Sequence, residues 1–258
     1  MEEGGKSARR NFLKQASVLG AATVAAPAAL SAYPISITEK GGDNTTFLFQ
    51  GDSITDGNRT RNLDWNHVLG HGYAYLIAAR LWYNLPKKGF HFFNRGVSGN
   101  TVPALAKRWQ EDTIAIKPDI LSILIGVNDT TSAVNGNQAF TIKSFEDDYR
   151  ALLKQTKEAL PNVEFVIIEP FILPVGKVKD KWDDYQREIS GRQAVAKRIA
   201  EEFDAVFVPL QDAFNKVAEE PSAIYWIWDG IHPMPNGHEL FAREWLKQVG
   251  KKYRYIRY

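Results

Sequence analysis

A serine, a histidine and an aspartate can hydrolyse an ester together. The serine attacks, the imidazole moves the proton, and the carboxylate orients the imidazole. The chain offers such a set. Gly51-Asp52-Ser53-Ile54-Thr55 follows the apolar run Thr46–Gln50, which reads as a buried strand. A serine entering the turn after a strand sits at the strand's carboxyl end, where open α/β sheets bind ligands. Ser53 is therefore the candidate nucleophile. Asp52 and Thr55 are expected to bond nearby backbone and hold the turn, and Asp52 is also a candidate substrate contact. Near the other end, Asp229-Gly230-Ile231-His232-Pro233 supplies the base, His232, with Asp229 three residues before it as orienter. Pro233 stiffens the loop after the base.

An acyl-transfer site also needs donors for the oxyanion. Gly96 in Asn94-Arg95-Gly96-Val97-Ser98-Gly99-Asn100, Asn128 in Gly126-Val127-Asn128-Asp129, and the Ser53 N–H are the candidates. A glycine can turn its N–H into a site, and an asparagine can aim its NH₂ there. Ser98 competes as nucleophile, because Gly96-Val97-Ser98-Gly99 resembles the elbow Gly-x-Ser-x-Gly. Asn100 stands where the final glycine belongs. Gly99 and Asn100 are read as shaping the oxyanion loop. His67 and His71 have the i, i+4 spacing of zinc pairs, but no glutamate accompanies them. No metal or cofactor is expected. His91 and His238 are read as structural. Trp109, Trp226 and Trp228 lie beside the blocks, and Trp228 or Trp65 could stack on a sugar at the mouth.

The four blocks, in this order, resemble those of the SGNH (GDSL-type) hydrolases from about Phe47 to Val249. The resemblance implies an α/β/α sandwich on a five-stranded parallel sheet, and a serine esterase using Ser53, His232 and Asp229. A finer resemblance is to bacterial xylan acetylesterases. It rests on Gly96–Val102, Ala106-Lys107-Arg108-Trp109-Gln110-Glu111-Asp112, Lys117-Pro118-Asp119 and Trp228-Asp229. It implies removal of acetyl groups from xylo-oligosaccharides or related glycans. The alternatives are a lysophospholipase or thioesterase of the same superfamily, and an exported glycan-binding protein without turnover. The segment from Asp56 to His71 is expected to set specificity.

These residues need a scaffold that converges them. Strand-like and helix-like segments alternate, the pattern of a parallel sheet covered on both faces. Strands are expected at Phe47–Gln50, Phe90–Asn94, Ile120–Ile125, Val163–Ile168 and Ala205–Val208. Helices are expected at Gly72–Leu85, Val102–Thr113, Phe145–Leu160, Trp182–Phe203, Gln211–Ala218 and from an Asn236 cap to Val249. The expected strand order is flavodoxin-like, 2-1-3-4-5.

The 258 residues, 44% of them hydrophobic, suffice for one sizeable core. There is no cysteine, which excludes a disulfide, a thiol nucleophile and a lipid-modified cysteine. A net charge of +2 without basic runs leaves no footprint for nucleic acid. Residues 1–32 read as an export signal of twin-arginine type, from Arg9-Arg10-Asn11-Phe12-Leu13-Lys14 and the alanine-rich stretch Ala16–Leu30. Residues 33–258 are then one hydrolase domain, periplasmic or extracellular and not inserted in a membrane. A homo-oligomer stays open.

Overall fold

The apolar run around Phe47–Phe49 cannot face water. In a computed structural model of the chain, it forms strand β1, Thr46–Gly51, buried along its whole length. The structure describes residues 43–62 and 67–257. The expected export segment and Trp65 lie outside the described residues. Four further strands follow: β2 His91–Asn94, β3 Ile120–Leu124, β4 Glu164–Ile168 and β5 Val206–Val208. All pair in parallel, in the order β2-β1-β3-β4-β5. This is the expected flavodoxin-like order.

Nine α-helices are described: α1 Ser53–Asp56, α2 Tyr73–Asn84, α3 Val102–Trp109, α4 Val127–Val134, α5 Ile142–Ala159, α6 Trp182–Glu202, α7 Gln211–Val217, α8 Ala223–Trp226 and α9 Pro235–Lys252. Successive strand residues point to opposite faces, and the core divides accordingly. Phe47 and Phe49 of β1 pack with α2 and α9, where Tyr73 stacks on Phe241 with ring centroids 3.7 Å apart. Leu48 faces the other way, among Leu105, Trp109, Tyr149 and Ile199 of α3, α5 and α6. Both buried indoles of this core are paired, whereas the buried Tyr149 hydroxyl has no partner among the described residues. Trp245 Nε1 donates to Ser122 Oγ at 3.0 Å, and Trp109 Nε1 to Thr156 Oγ1 at 2.9 Å. Among the described residues, no helix is long and apolar enough to cross a membrane.

Several helix boundaries differ from expectation, among them the end of α3, which stops at Trp109 rather than Thr113. Helix α5 starts at Ile142 rather than Phe145, because Thr141 Oγ1 caps it by accepting the Ser144 N–H at 3.0 Å. Helix α9 starts at Pro235, whose missing N–H costs nothing in a first turn. Asn236 therefore lies inside α9 and is not its cap; its side chain donates to the Tyr225 carbonyl. Helix α4, which carries Asn128, had no counterpart in the sequence reading.

Candidate active site

The candidate nucleophile, Ser53, is placed by the end of β1. Gly51 has φ +155°, and a Cβ there would lie 2.3 Å from the Leu124 carbonyl on β3. Only glycine lets the chain leave the sheet at that point. Asp52 then caps α1, its Oδ1 accepting the Ile54 N–H at 3.0 Å. Ser53, first residue of α1, is carried past the strand end. Among the described residues the Thr55 hydroxyl bonds no backbone, contrary to expectation. Its hydroxyl meets Tyr73 OH at 2.9 Å and links α1 to α2.

The candidate base, His232, comes from a tight loop between α8 and α9. Ile227 and Pro233 form an antiparallel bridge, and Trp228 N–H donates to the His232 carbonyl at 3.2 Å. Gly230, at φ +90°, approaches the 173–178 segment so closely that a Cβ would lie 2.4 Å from the Val175 carbonyl. Within this loop, Asp229 Oδ1 accepts the N–H groups of Ile231 and His232 at 3.0 and 2.7 Å. Its Oδ2 lies 2.8 Å from His232 Nδ1. Nε2 of the same ring is 2.8 Å from Ser53 Oγ. The three sequence-predicted residues thus form one unbroken hydrogen-bonded line. Burial pushes the Asp229 carboxyl up, but bonds from His232, Lys177 and Ile231 outweigh it and hold the group well below the usual carboxylate range.

The loop after β2 is fastened to the nucleophile by side chains. Asn94 Nδ2 donates to the carbonyls of Thr55 and Leu69 at 2.6 and 2.9 Å. Asp56, the last residue of α1, takes Arg61 on both carboxylate oxygens, and its Oδ2 also accepts Ser98 N–H and Oγ–H. Arg108 of α3 donates to the carbonyls of Arg95 and Gly51 and to Asn100 Oδ1. Ser98 is therefore a fastening, engaged with a carboxylate and not with a base.

Two site assignments change. The Gly96 N–H donates to Asn94 Oδ1 at 2.9 Å in a buried position, and a Cβ there would lie 2.3 Å from the Asp56 nitrogen. Gly96 is a packing glycine whose donor is already used. Asp52 is fully buried and cannot touch substrate. Burial, only partly offset by the Ile54 bond and the nearby His232, raises its carboxyl to about 7. Asn128 sits half-buried at the start of α4, with one of its two amide N–H groups on the Asn100 carbonyl at 3.0 Å. Behind it, Asp129 is buried and accepts the Val102 N–H, and burial raises its carboxyl to about 6.

Ser53 and His232 open onto a cavity of about 280 Å³, lined also by Ile54, Asn58, His71, Trp228 and His238. Trp228 is 56% exposed, and its ring lies roughly parallel to the His232 ring, centroids 6.3 Å apart. Trp109 is buried in the core and Trp226 does not line this cavity, so of the described tryptophans only Trp228 is placed to meet a ligand there. His238 accepts the Tyr73 N–H on Nδ1, which caps α2; burial lowers its pKa to about 4 and keeps it neutral. Among the described residues, no group of three or more histidine or carboxylate side chains could hold a metal.

Three contributors escaped the sequence reading: Asn94, Asp56 and Lys177, whose Nζ lies 2.9 Å from Asp229 Oδ2. Asp56 had a local signal in Arg61 five residues on. Lys177 had none, being 52 residues from its partner in sequence.

Comparison with known proteins places the chain in a family and agrees with its fold. Residues 49–240 match the GDSL-like lipase/acylhydrolase family. The chain is 34% identical over 217 residues to an acetylxylan esterase of Geobacillus stearothermophilus, covering 82% of this chain and 96% of that one. A crystal structure of that esterase superposes with a TM-score of 0.73 over 85% of this chain and 99% of its own. A protein described as a GDSL-like lipase from Parabacteroides merdae is 38% identical, with a TM-score of 0.78 over 81% of this chain and 97% of its own. All four sequence blocks fall inside the matched span, and the chain belongs to the GDSL-like lipase/acylhydrolase family and is a carboxylic ester hydrolase.

Proposed function

We propose that this protein removes acetyl groups from xylo-oligosaccharides or a related glycan, through an acyl-enzyme on Ser53. The observation that carries the reading is the Ser53–His232–Asp229 line at the floor of an open cavity with Trp228 on its rim. His232 Nε2 accepts the Ser53 proton as Oγ bonds the ester carbonyl carbon. The oxyanion of the tetrahedral intermediate is held by N–H donors. Ser53 N–H and the second Asn128 amide hydrogen are two of them. With Gly96 committed elsewhere, the donor from the loop after β2 is assigned to Gly99, whose N–H has no partner among the described residues and whose φ of +81° suits glycine. Each such donor is worth about 2.7–4 kcal/mol in the transition state. As the C–O bond breaks, His232 gives its proton to the departing sugar oxygen, which leaves as a hydroxyl, and water then repeats the sequence to release acetate.

Trp228 supports a glycan as the leaving alcohol, because an exposed indole offers an apolar face to a pyranose ring. The cavity lining supports a short acyl group. Asn58, His71 and His238 are polar, and a long chain would find only Ile54, Pro233 and Trp228 as apolar partners. The Arg9-Arg10 segment supports an exported enzyme, which would meet polymeric glycans outside the cell. Comparing kcat/KM for acetyl and octanoyl esters of one alcohol, and acetate release from acetylated xylan, tests the reading. Acetyl should be preferred by at least about tenfold, the low end of what pocket discrimination gives. Faster octanoyl turnover replaces this reading with a lipid esterase.

A further inference from the structure

Asp229 has more partners than orienting His232 requires. Its Oδ1 is filled by two backbone N–H groups, and its Oδ2 is shared between His232 Nδ1 and Lys177 Nζ. The lysine is not a chance surface pair. Its own N–H donates to the Asp229 carbonyl at 3.1 Å. Gly176, at φ +54°, lies so close that a Cβ would fall 2.4 Å from Asp229 Cα. The segment Gly176–Lys181, a 3₁₀ turn, is thus built against the catalytic aspartate, with the Lys177 ammonium delivered to the oxygen that serves the imidazole. Lys177 is half exposed while Asp229 is nearly closed off, so the charge reaches the triad from the solvent side.

We propose that Lys177 is a positioning residue of the triad, which holds Asp229 Oδ2 in line with His232 and by its charge extends activity further into acid. This rests on the triad reading above. The physical argument concerns what Asp229 can give the protonated base. An aspartate bonded only to the imidazole devotes its negative charge to the imidazolium. An ammonium on the same oxygen takes part of that charge and repels the imidazolium directly. The neutral imidazole, the form able to accept the Ser53 proton, therefore persists to lower pH. Other titratable groups around His232 are Asp52 beneath Ser53, and His71 and His238 on the cavity wall. Asp52, when ionised, acts in the opposite sense to Lys177. His71 and His238, when protonated, act in the same sense, and His238 stays neutral down to about 4.

The test is the pH profile of kcat/KM on a soluble acetate ester, for wild type, Lys177→Met and Lys177→Arg. In Lys177→Met the midpoint of the acidic limb should move to higher pH by about 0.5 unit, a size set by the lysine's exposure. Lys177→Arg should keep the wild-type midpoint. Added salt should move wild type towards Lys177→Met and leave that variant in place. A uniform fall in rate with an unmoved limb overturns the proposal and leaves Lys177 as a structural tie. So does movement to lower pH. Ser53→Ala, run in parallel, separates the two levels: turnover there overturns the triad, whereas an inactive Ser53→Ala beside an unmoved limb overturns the lysine's role alone.

Discussion

The two halves of the catalytic line are held in different ways. On the base side, the loop from Ile227 to Met234 is fixed mostly by backbone, through a β-bridge and glycines packed against neighbouring main chain, with a single side chain, Asp229, accepting two of its N–H groups. On the nucleophile side, α1 and the loop after β2 are fixed by side chains reaching across, namely Asn94, Asp56 and Arg108. Backbone fastenings survive most side-chain changes. Side-chain fastenings do not, so the oxyanion side is the half in which single substitutions loosen the geometry without touching a reacting atom.

The largest effect comes from removing a reacting atom on either side, which erases the contrast. Ser53→Ala and His232→Ala should each lower kcat by on the order of 10⁴-fold or more, and the double variant should be little worse than either. Thermal melts should show both folded. The next effect sharpens the contrast. Asp56→Ala frees Ser98 and Arg61 together, and a displacement of the oxyanion loop by an ångström should cost about 10²-fold in kcat. Trp228→Ala, a comparable truncation on the backbone-held loop, should raise KM for a glycan ester while leaving kcat within a few-fold. Equal kcat losses in the two variants would erase the distinction.

The smallest effect concerns stability. Asp52 is neutral in the folded state up to about 7, whereas an unfolded aspartate ionises near 3.9. A carboxyl raised on folding favours the fold most below its unfolded value. That contribution is lost as pH rises towards the folded value. Asp52→Asn keeps an oxygen for the Ile54 cap and removes the titration. Its melting temperature relative to wild type should therefore climb between about pH 4 and 7 and then level off. A flat difference across that window would show that Asp52 is charged in the fold.

Sheet order and the meeting of Ser53, His232 and Asp229 were legible because both write themselves locally. The strands are short apolar runs, and these three residues lie in blocks directly after them or before α9. Helix α4 was not legible. Thr130, Thr131 and Ser132 are poor helix formers, yet each hydroxyl bonds the carbonyl four residues back, on Gly126, Val127 and Asn128. The segment thus looks like a turn while folding as a helix. Gly96 misled for a related reason. A glycine that presents its N–H to a ligand and a glycine squeezed against Asp56 leave the same letter in the chain. Only the neighbours tell them apart, and those come from another element. Lys177 was out of reach because its partner is brought to it by the packing of two loops.

Ser53 and His232 are 179 residues apart, and α9 follows the histidine. Helix α9 packs on α2 through Tyr73 and Phe241, so the last long helix closes on one of the first. Hydrolysis through Ser53 and His232 would consequently report that α9 has been made and docked. A chain emerging from the ribosome can pair β1 with β2 and β3 while the imidazole has yet to be synthesised. During refolding, recovery of activity should trail the fluorescence of Trp109, whose surroundings in α3 and α5 assemble from contacts closer in sequence. The molecule carries its own signal that α2 and α9 have met.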